Sequence, residues 1–129
     1  MSFTIKDMTI RDEYNRQRIF KGVNICFKGR ENQHEIYEFF DKFENDKSFR
    51  DEQYDMLTSN GVNLIRLGFT WAMLEPKKNQ FDEKIISYLK LFVDECQKRN
   101  IYIVLDLHQD LFYSNGKYGD GAPKWITRD

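Results

Sequence analysis

Asp106, His108 and Asp110 stand two residues apart in the stretch IVLDLHQD, residues 103–110. Side chains at period two share one face if the chain stays extended that far. Two carboxylates and an imidazole on one face allow three kinds of chemistry. A D-x-H-x-D set has ligand types suited to zinc, iron or manganese. The same groups could close the end of a strand as a hydrogen-bonded cap, with His108 satisfied in place. They could also form the polar rim of a site that grips sugar hydroxyls. Arg66, in VNLIRLGF, adds a cation that points inward if Leu64 does. An inward arginine is costly unless it meets a carboxylate. Its plain role is a salt bridge between strand ends; its functional role is to keep a catalytic carboxylate ionised by lowering its pKa. Trp71 and Trp125 fall in expected loops, where an indole stacks on a sugar ring or packs as a lid.

The elements that must position these groups follow from periodicity. The turn residues DEYN separate Thr9 and Ile10 from RIF, which predicts a hairpin, and GVNIC follows as a short strand. In HEIYEFFDKF, Ile36, Phe39, Phe40 and Phe43 recur at helical spacing. Asp46 and Ser48 offer caps for a second helix, and Gly61 sits where a helix C′ residue belongs. VNLIRLGF reads as a strand, and TWAMLEPKKNQ as a loop containing Pro76. Asp82 caps a long helix with Ile85, Tyr88, Leu89, Phe92, Val93 and Cys96 on one side. Asn100 ends that helix, and IYIVLDL is the third strand. The order β, α, β, α, β with continuously apolar strands predicts a parallel sheet buried on both faces under helices. A doubly wound sheet and a (β/α)8 barrel both satisfy it. A barrel takes about 250 residues. In either, functional residues gather at the carboxyl ends of the strands.

Bulk composition narrows the partners. Of 129 residues, 40% are apolar and 16% aromatic, eleven of them Phe, which fits one folded domain. Charged residues reach 32% but net to −1, so no basic stripe for nucleic acid or anionic lipid is present. Cys26 and Cys96 form no CxxC pair and read as two buried thiols. The opening MSFTIKDM has no basic segment leading into an apolar one, so the sequence as written predicts no signal peptide and a cytoplasmic protein. No apolar run approaches a membrane span. No cofactor is expected, and oligomeric state is not legible.

The segments GVNLIRLGFTWAMLEP, YLKLFVDECQKRNIYIVLDLHQD and GDGAPKW resemble the endoglycoceramidase-like branch of glycoside hydrolase family five. The opening FKGVNICFKG is similar to that group's first barrel strand followed by a lysine. The resemblance implies the first three β/α units of a (β/α)8 barrel over residues 19–129, with residues 1–18 as a hairpin lead-in. It implies a retaining glycosidase that cleaves a β-linked glycan from a lipid or related aglycone, without a metal. Lys28, Asp106 and His108 are then similar to glycan-binding residues, joined by Trp71 and Trp125. Asp110 supports them, and Arg66 resembles the arginine that contacts the nucleophile. Retaining glycosidases need two carboxylates about 5–5.5 Å apart. In this family they end strands four and seven, the acid/base as the Glu of an Asn-Glu pair. The 129 residues contain no Asn-Glu pair. The expectation is therefore an N-terminal part, inactive alone and lacking both catalytic glutamates. The rival expectations are a non-catalytic carbohydrate- or glycolipid-binding remnant and a metal-dependent hydrolase using the D-x-H-x-D cluster.

Overall fold

The computed structural model describes residues 2–27, 33–110 and 121–126, with the backbone alone for 33–35. In chain order it forms strands β1 (Phe3–Lys6), β2 (Thr9–Asp12) and β3 (Gly22–Phe27), then helices α1 (Gln33–Asn45) and α2 (Lys47–Ser59). Strand β4 (Leu64–Phe69), helices α3 (Trp71–Leu74) and α4 (Glu83–Lys98) and strand β5 (Tyr102–Leu107) follow, with a 3-10 turn at Lys124–Ile126. Strands β3, β4 and β5 make one parallel sheet in that order. Helical connections carry the chain from each strand to the next, as parallel pairing requires.

Local chemistry fixes where these helices begin and stop. The Asp46 carboxylate accepts from the Phe49 N–H and starts α2, and Asp82 accepts from the Lys84 and Ile85 N–H groups to start α4. Gly61 (φ +72°) ends α2. Its N–H donates to the Thr58 carbonyl and that of Val62 to the Leu57 carbonyl, the double bond of a Schellman stop. Asn100 (φ +57°) repeats this after α4, with bonds from Asn100 to Gln97 and from Ile101 to Cys96. Each stop returns the chain to the sheet quickly, with four residues between α2 and β4 and three between α4 and β5.

Strand alternation then sorts the side chains. Ile65, Leu67 and Phe69 of β4 face the helices and are buried against Ile36, Phe40 and Phe43 of α1 and Ile85, Tyr88, Leu89 and Phe92 of α4. Phe40 stacks on Tyr88 with centroids 4.9 Å apart, and Phe43 on Phe92 at 5.6 Å. Full burial of each such ring is worth about 1.5–3 kcal/mol. An ionic knot ties α2 to α4. Buried Glu95 accepts from Lys98 (2.5 Å) and Arg99 (2.6 Å), Arg50 lies 3.6 Å away, and Arg99 also reaches Asp51 at 2.6 Å.

The structure departs from the sequence reading in four places. The hairpin is β1–β2, turned at Asp7 and Met8, which both adopt positive φ as a tight two-residue hairpin turn demands. DEYN makes a second turn, organised by Asp12, whose carboxylate accepts from the Tyr14 and Arg16 N–H groups, and RIF is not a strand. TWAMLEPKKNQ contains α3, because the Thr70 hydroxyl accepts from the Met73 N–H and caps one helical turn. Apolar strands do not mean burial on both faces. Among the described residues β3 and β5 are edge strands, and Val104, Leu105 and Leu107 are about half exposed. Finally, Cys96 is a buried thiol but Cys26 is exposed, since the alternation of β3 turns it away from the helices.

Candidate functional site

The face of the sheet away from the helices carries a polar row. Register aligns Cys26, Gly68 and Asp106 across the three strands, and Asn24, Arg66 and Val104 one step before them. Arg66 reaches diagonally to its neighbour strand, where its Nη2 donates to Asp106 Oδ2 at 2.7 Å. The pair is half open to solvent, with side chains 44% and 23% exposed, so it contributes about 1 kcal/mol or less to stability. Its value is geometric: it fixes where the Asp106 carboxylate stands.

His108 lies one residue beyond β5, and its N–H donates to the Phe69 carbonyl at 2.8 Å. That bond continues the β4–β5 ladder past the strand, which is why His108 still shares a face with Asp106. Its Nδ1 lies 3.0 Å from Asp106 Oδ2, and its Nε2 lies 3.2 Å from Asp110 Oδ2. Arg66, Asp106, His108 and Asp110 thus form one string along the carboxyl end of the sheet. The two carboxylates lie on opposite nitrogens of one ring, so these donors do not converge on a point. Among the described residues no three His, Cys, Asp or Glu side chains are placed to hold a metal ion.

Trp71 and Trp125 come together as a second cluster, their rings edge to face with centroids 5.5 Å apart. Trp71 Nε1 donates to Glu75 Oε2 at 2.7 Å, and Trp125 Nε1 donates to the Glu75 carbonyl at 2.9 Å. Both are partly buried. They pack as a lid-like pair rather than as two isolated platforms. Lys28 lies outside the described residues.

The sequence reading assigned nothing to three residues that shape this end of the sheet. Gly68 has no Cβ because none fits: one would stand 2.6 Å from Cys26 Sγ and 3.5 Å from Asp106 Oδ2. Gly121 (φ +130°) approaches Gln109 so closely that a Cβ would meet its Cγ at 2.8 Å. Glu75 is buried between the two tryptophans. A strand-interior glycine is a sequence signal for close approach; the Glu-Pro pair at 75–76 gave none for a buried acid.

A parallel α/β layer whose polar residues gather where the strands end is the layout of an enzyme that binds its ligand there. The sequence model of the cellulase family, glycosyl hydrolase family 5, matches residues 20–128. The chain belongs to glycosyl hydrolase family 5, a family of (β/α)8 barrel glycosidases, and to its endoglycoceramidase-like branch. It is 33% identical over 116 residues to an endoglycoceramidase of Hydra vulgaris, which covers 90% of this chain and 21% of that protein. The structure is similar to that of Cryptococcus neoformans sterylglucosidase 1, with a TM-score of 0.76 at 25% identity over 95% of this chain and 19% of that one. The fold is also that of endo-glycoceramidase II from Rhodococcus sp., with a TM-score of 0.60 at 22% identity over 91% of this chain and 25% of that one. The chain therefore spans about a fifth of the length of the endoglycoceramidases of Hydra vulgaris and Cyanea nozakii that it matches. No helix among the described residues is long and apolar enough to cross a membrane.

Proposed function

We propose that residues 19–129 supply the first three β/α units of a family 5 barrel that cleaves a β-linked glycan from a lipid or related aglycone with retention. The observation that carries this reading is the bonded string Arg66–Asp106–His108–Asp110 at the carboxyl end of a parallel sheet. Asp106 and His108 offer acceptors and donors to sugar hydroxyls, with Lys28, Trp71 and Trp125 completing the glycan rim. Arg66 and Asp110 hold the rim groups in place.

The chemistry itself needs two carboxylates facing each other across the scissile bond. Asp106 and Asp110 cannot supply it, since both bind one imidazole from one short segment. On the family resemblance the nucleophile and the acid/base are two glutamates at later strand ends, which this reading places outside these 129 residues. In the complete barrel one attacks the anomeric carbon and the other protonates the departing oxygen. No step in this reading calls for a metal or other cofactor.

The test is hydrolysis of glucosylceramide and of a fluorogenic β-glucoside by the purified 129-residue chain, beside the intact mass of the native product. The expected result is no turnover by the chain and a heavier native product carrying an Asn-Glu pair and a later strand-end glutamate. Turnover by the 129 residues alone would falsify the assignment. A native mass of 15.6 kDa would leave glycan binding without catalysis as the function.

A further inference from the structure

Glu75 is a polar group that the proposed chemistry does not use. It is the C-cap residue of α3 and is 8% exposed. A buried carboxylate is costly unless its oxygens are paired, and an apolar residue here would avoid the cost. Its pairing is specific. Oε2 accepts from Trp71 Nε1 at 2.7 Å, Oε1 accepts from the Asn79 N–H at 2.7 Å, and its backbone carbonyl accepts from Trp125 Nε1 at 2.9 Å. An indole has a single polar atom, a donor. Both tryptophans therefore spend their only hydrogen bond on this one residue, which fixes the plane of each ring.

The same junction reaches the polar rim through backbone. The Ala72 N–H, in the first turn of α3, donates to the Gly121 carbonyl at 2.8 Å. Gly121 sits against Gln109, closer than any side chain would allow. Gln109 lies between His108 and Asp110, whose side chains meet across it. Glu75, the two indoles, α3 and the backbone beside His108 are one packed unit.

The geometry points to Glu75 as a positioning residue of the glycan rim: its carboxylate sets the ring plane of Trp71, its backbone carbonyl receives Trp125, and through α3 and Gly121 the unit holds the backbone beside His108. This rests on the reading of that rim as glycan-binding. Glu75 touches no reacting atom; it acts through the tryptophans and the loop.

The chain contains two tryptophans, and both belong to this unit. Their indole N–H signals in a 15N-labelled 129-residue chain report on it alone. Octyl β-D-glucoside, below its micelle concentration, serves as the glycoside probe. Glu75→Gln keeps the volume but offers one acceptor to two N–H donors. We expect water exchange at the Trp71 indole to accelerate, and the Kd for the probe to rise about tenfold, the scale of one charge-assisted hydrogen bond. Tyr54→Phe, which removes a core hydrogen bond to the Phe92 carbonyl, is the control for lost stability and should leave the Kd unchanged. Glu75→Gln with Trp71→Phe removes the orphaned donor, so stability returns while affinity does not.

Three results would overturn the inference. One is unchanged indole exchange or an unchanged Kd in Glu75→Gln. Another is an equal loss of affinity in Tyr54→Phe. The third is affinity that returns together with stability in the double variant. Failure of the wild type itself to bind the glycoside is a separate outcome; it overturns the rim reading, and this inference with it.

Discussion

Gly68 decides how three side chains meet on the open face of the sheet. Glycine inside a strand costs about 0.5–1 kcal/mol relative to alanine through backbone entropy, so alanine would be favoured if it fitted. It does not fit, because the new Cβ would stand 2.6 Å from Cys26 Sγ and 3.2 Å from its Cβ. The thiol is exposed and its Sγ can rotate away, whereas its Cβ cannot. Gly68→Ala is expected to destabilise by about 1–3 kcal/mol, the usual cost of overpacking. Adding Cys26→Ala should recover part of the loss, as read from urea unfolding midpoints. Full recovery would show that the backbone has room to yield and that only the sulfur is in the way.

The helices are held by polar contacts whose strength depends on pH. Burial alone would raise the pKa of Glu95 above its ordinary 4.5, but the bonds from Lys98 and Arg99 outweigh it and bring it below. The unfolded chain therefore takes up the proton first as pH falls. The contribution of Glu95 is present above about pH 4.5 and is lost as pH drops through its lower folded value. Glu95→Gln should cost about 3 kcal/mol at pH 7, because Arg50 and Arg99 lose the charge they share. It should also flatten the loss of stability expected of the wild type as pH falls below about 4.5, read from urea unfolding midpoints. A variant slope as steep as that of the wild type would assign the acid sensitivity to Asp12, Asp41 and Asp51 instead, whose pKa values are also lowered. Asp82 does two jobs at the start of α4, capping the helix and accepting from the Tyr37 hydroxyl. Burial first, and that bond second, push Tyr37 up to about 12. Asp82→Ala should cost about 1–2 kcal/mol. In a spectrophotometric titration it should also move Tyr37 part of the way back toward 10, since the burial remains.

At the scale of the molecule, the packing among the described residues is closed over β4 and open at β5, where Leu105 and Leu107 lie on the same face as Leu67 and Phe69. The helix side closes over Phe40, Tyr88, Phe43 and Phe92, while β5 leaves Val104, Leu105 and Leu107 half exposed. Leu105 borders an apolar hollow of about 260 Å³ with Phe69, Leu74, Leu89 and Val93. Apolar patches beside unpaired strand edges promote association between copies. The 129-residue chain is expected to self-associate with rising concentration in sedimentation velocity runs. Leu105→Lys should reduce that association while changing stability by no more than about 0.5 kcal/mol, as for an exposed site. Association unaffected by the lysine would place the sticky surface elsewhere, with the exposed Ile5 and Met8 of the hairpin the next to test.

By itself the sequence determined the three strands of the parallel sheet, the three longer helices between them, and the helix ends at Asp82, Gly61 and Asn100, with Asp46 and Ser48 both open as the cap of α2. It also allowed Asp106, His108 and Asp110 one face, on the condition that the chain stayed extended beyond the strand. These are local properties: period, cap chemistry and φ preference act within a few residues, so they are legible without the fold. Tertiary structure decided which groups meet. The partner of Arg66 is Asp106 because parallel register sets β4 beside β5 with Gly68 opposite Asp106, and nothing near Arg66 in the sequence encodes that register. Glu75 was illegible for the same reason, since its burial depends on two indoles brought in by separate segments. The exposure of Leu105 and Leu107 was missed because apolarity marks what a strand can bury, while burial itself depends on what packs beside it.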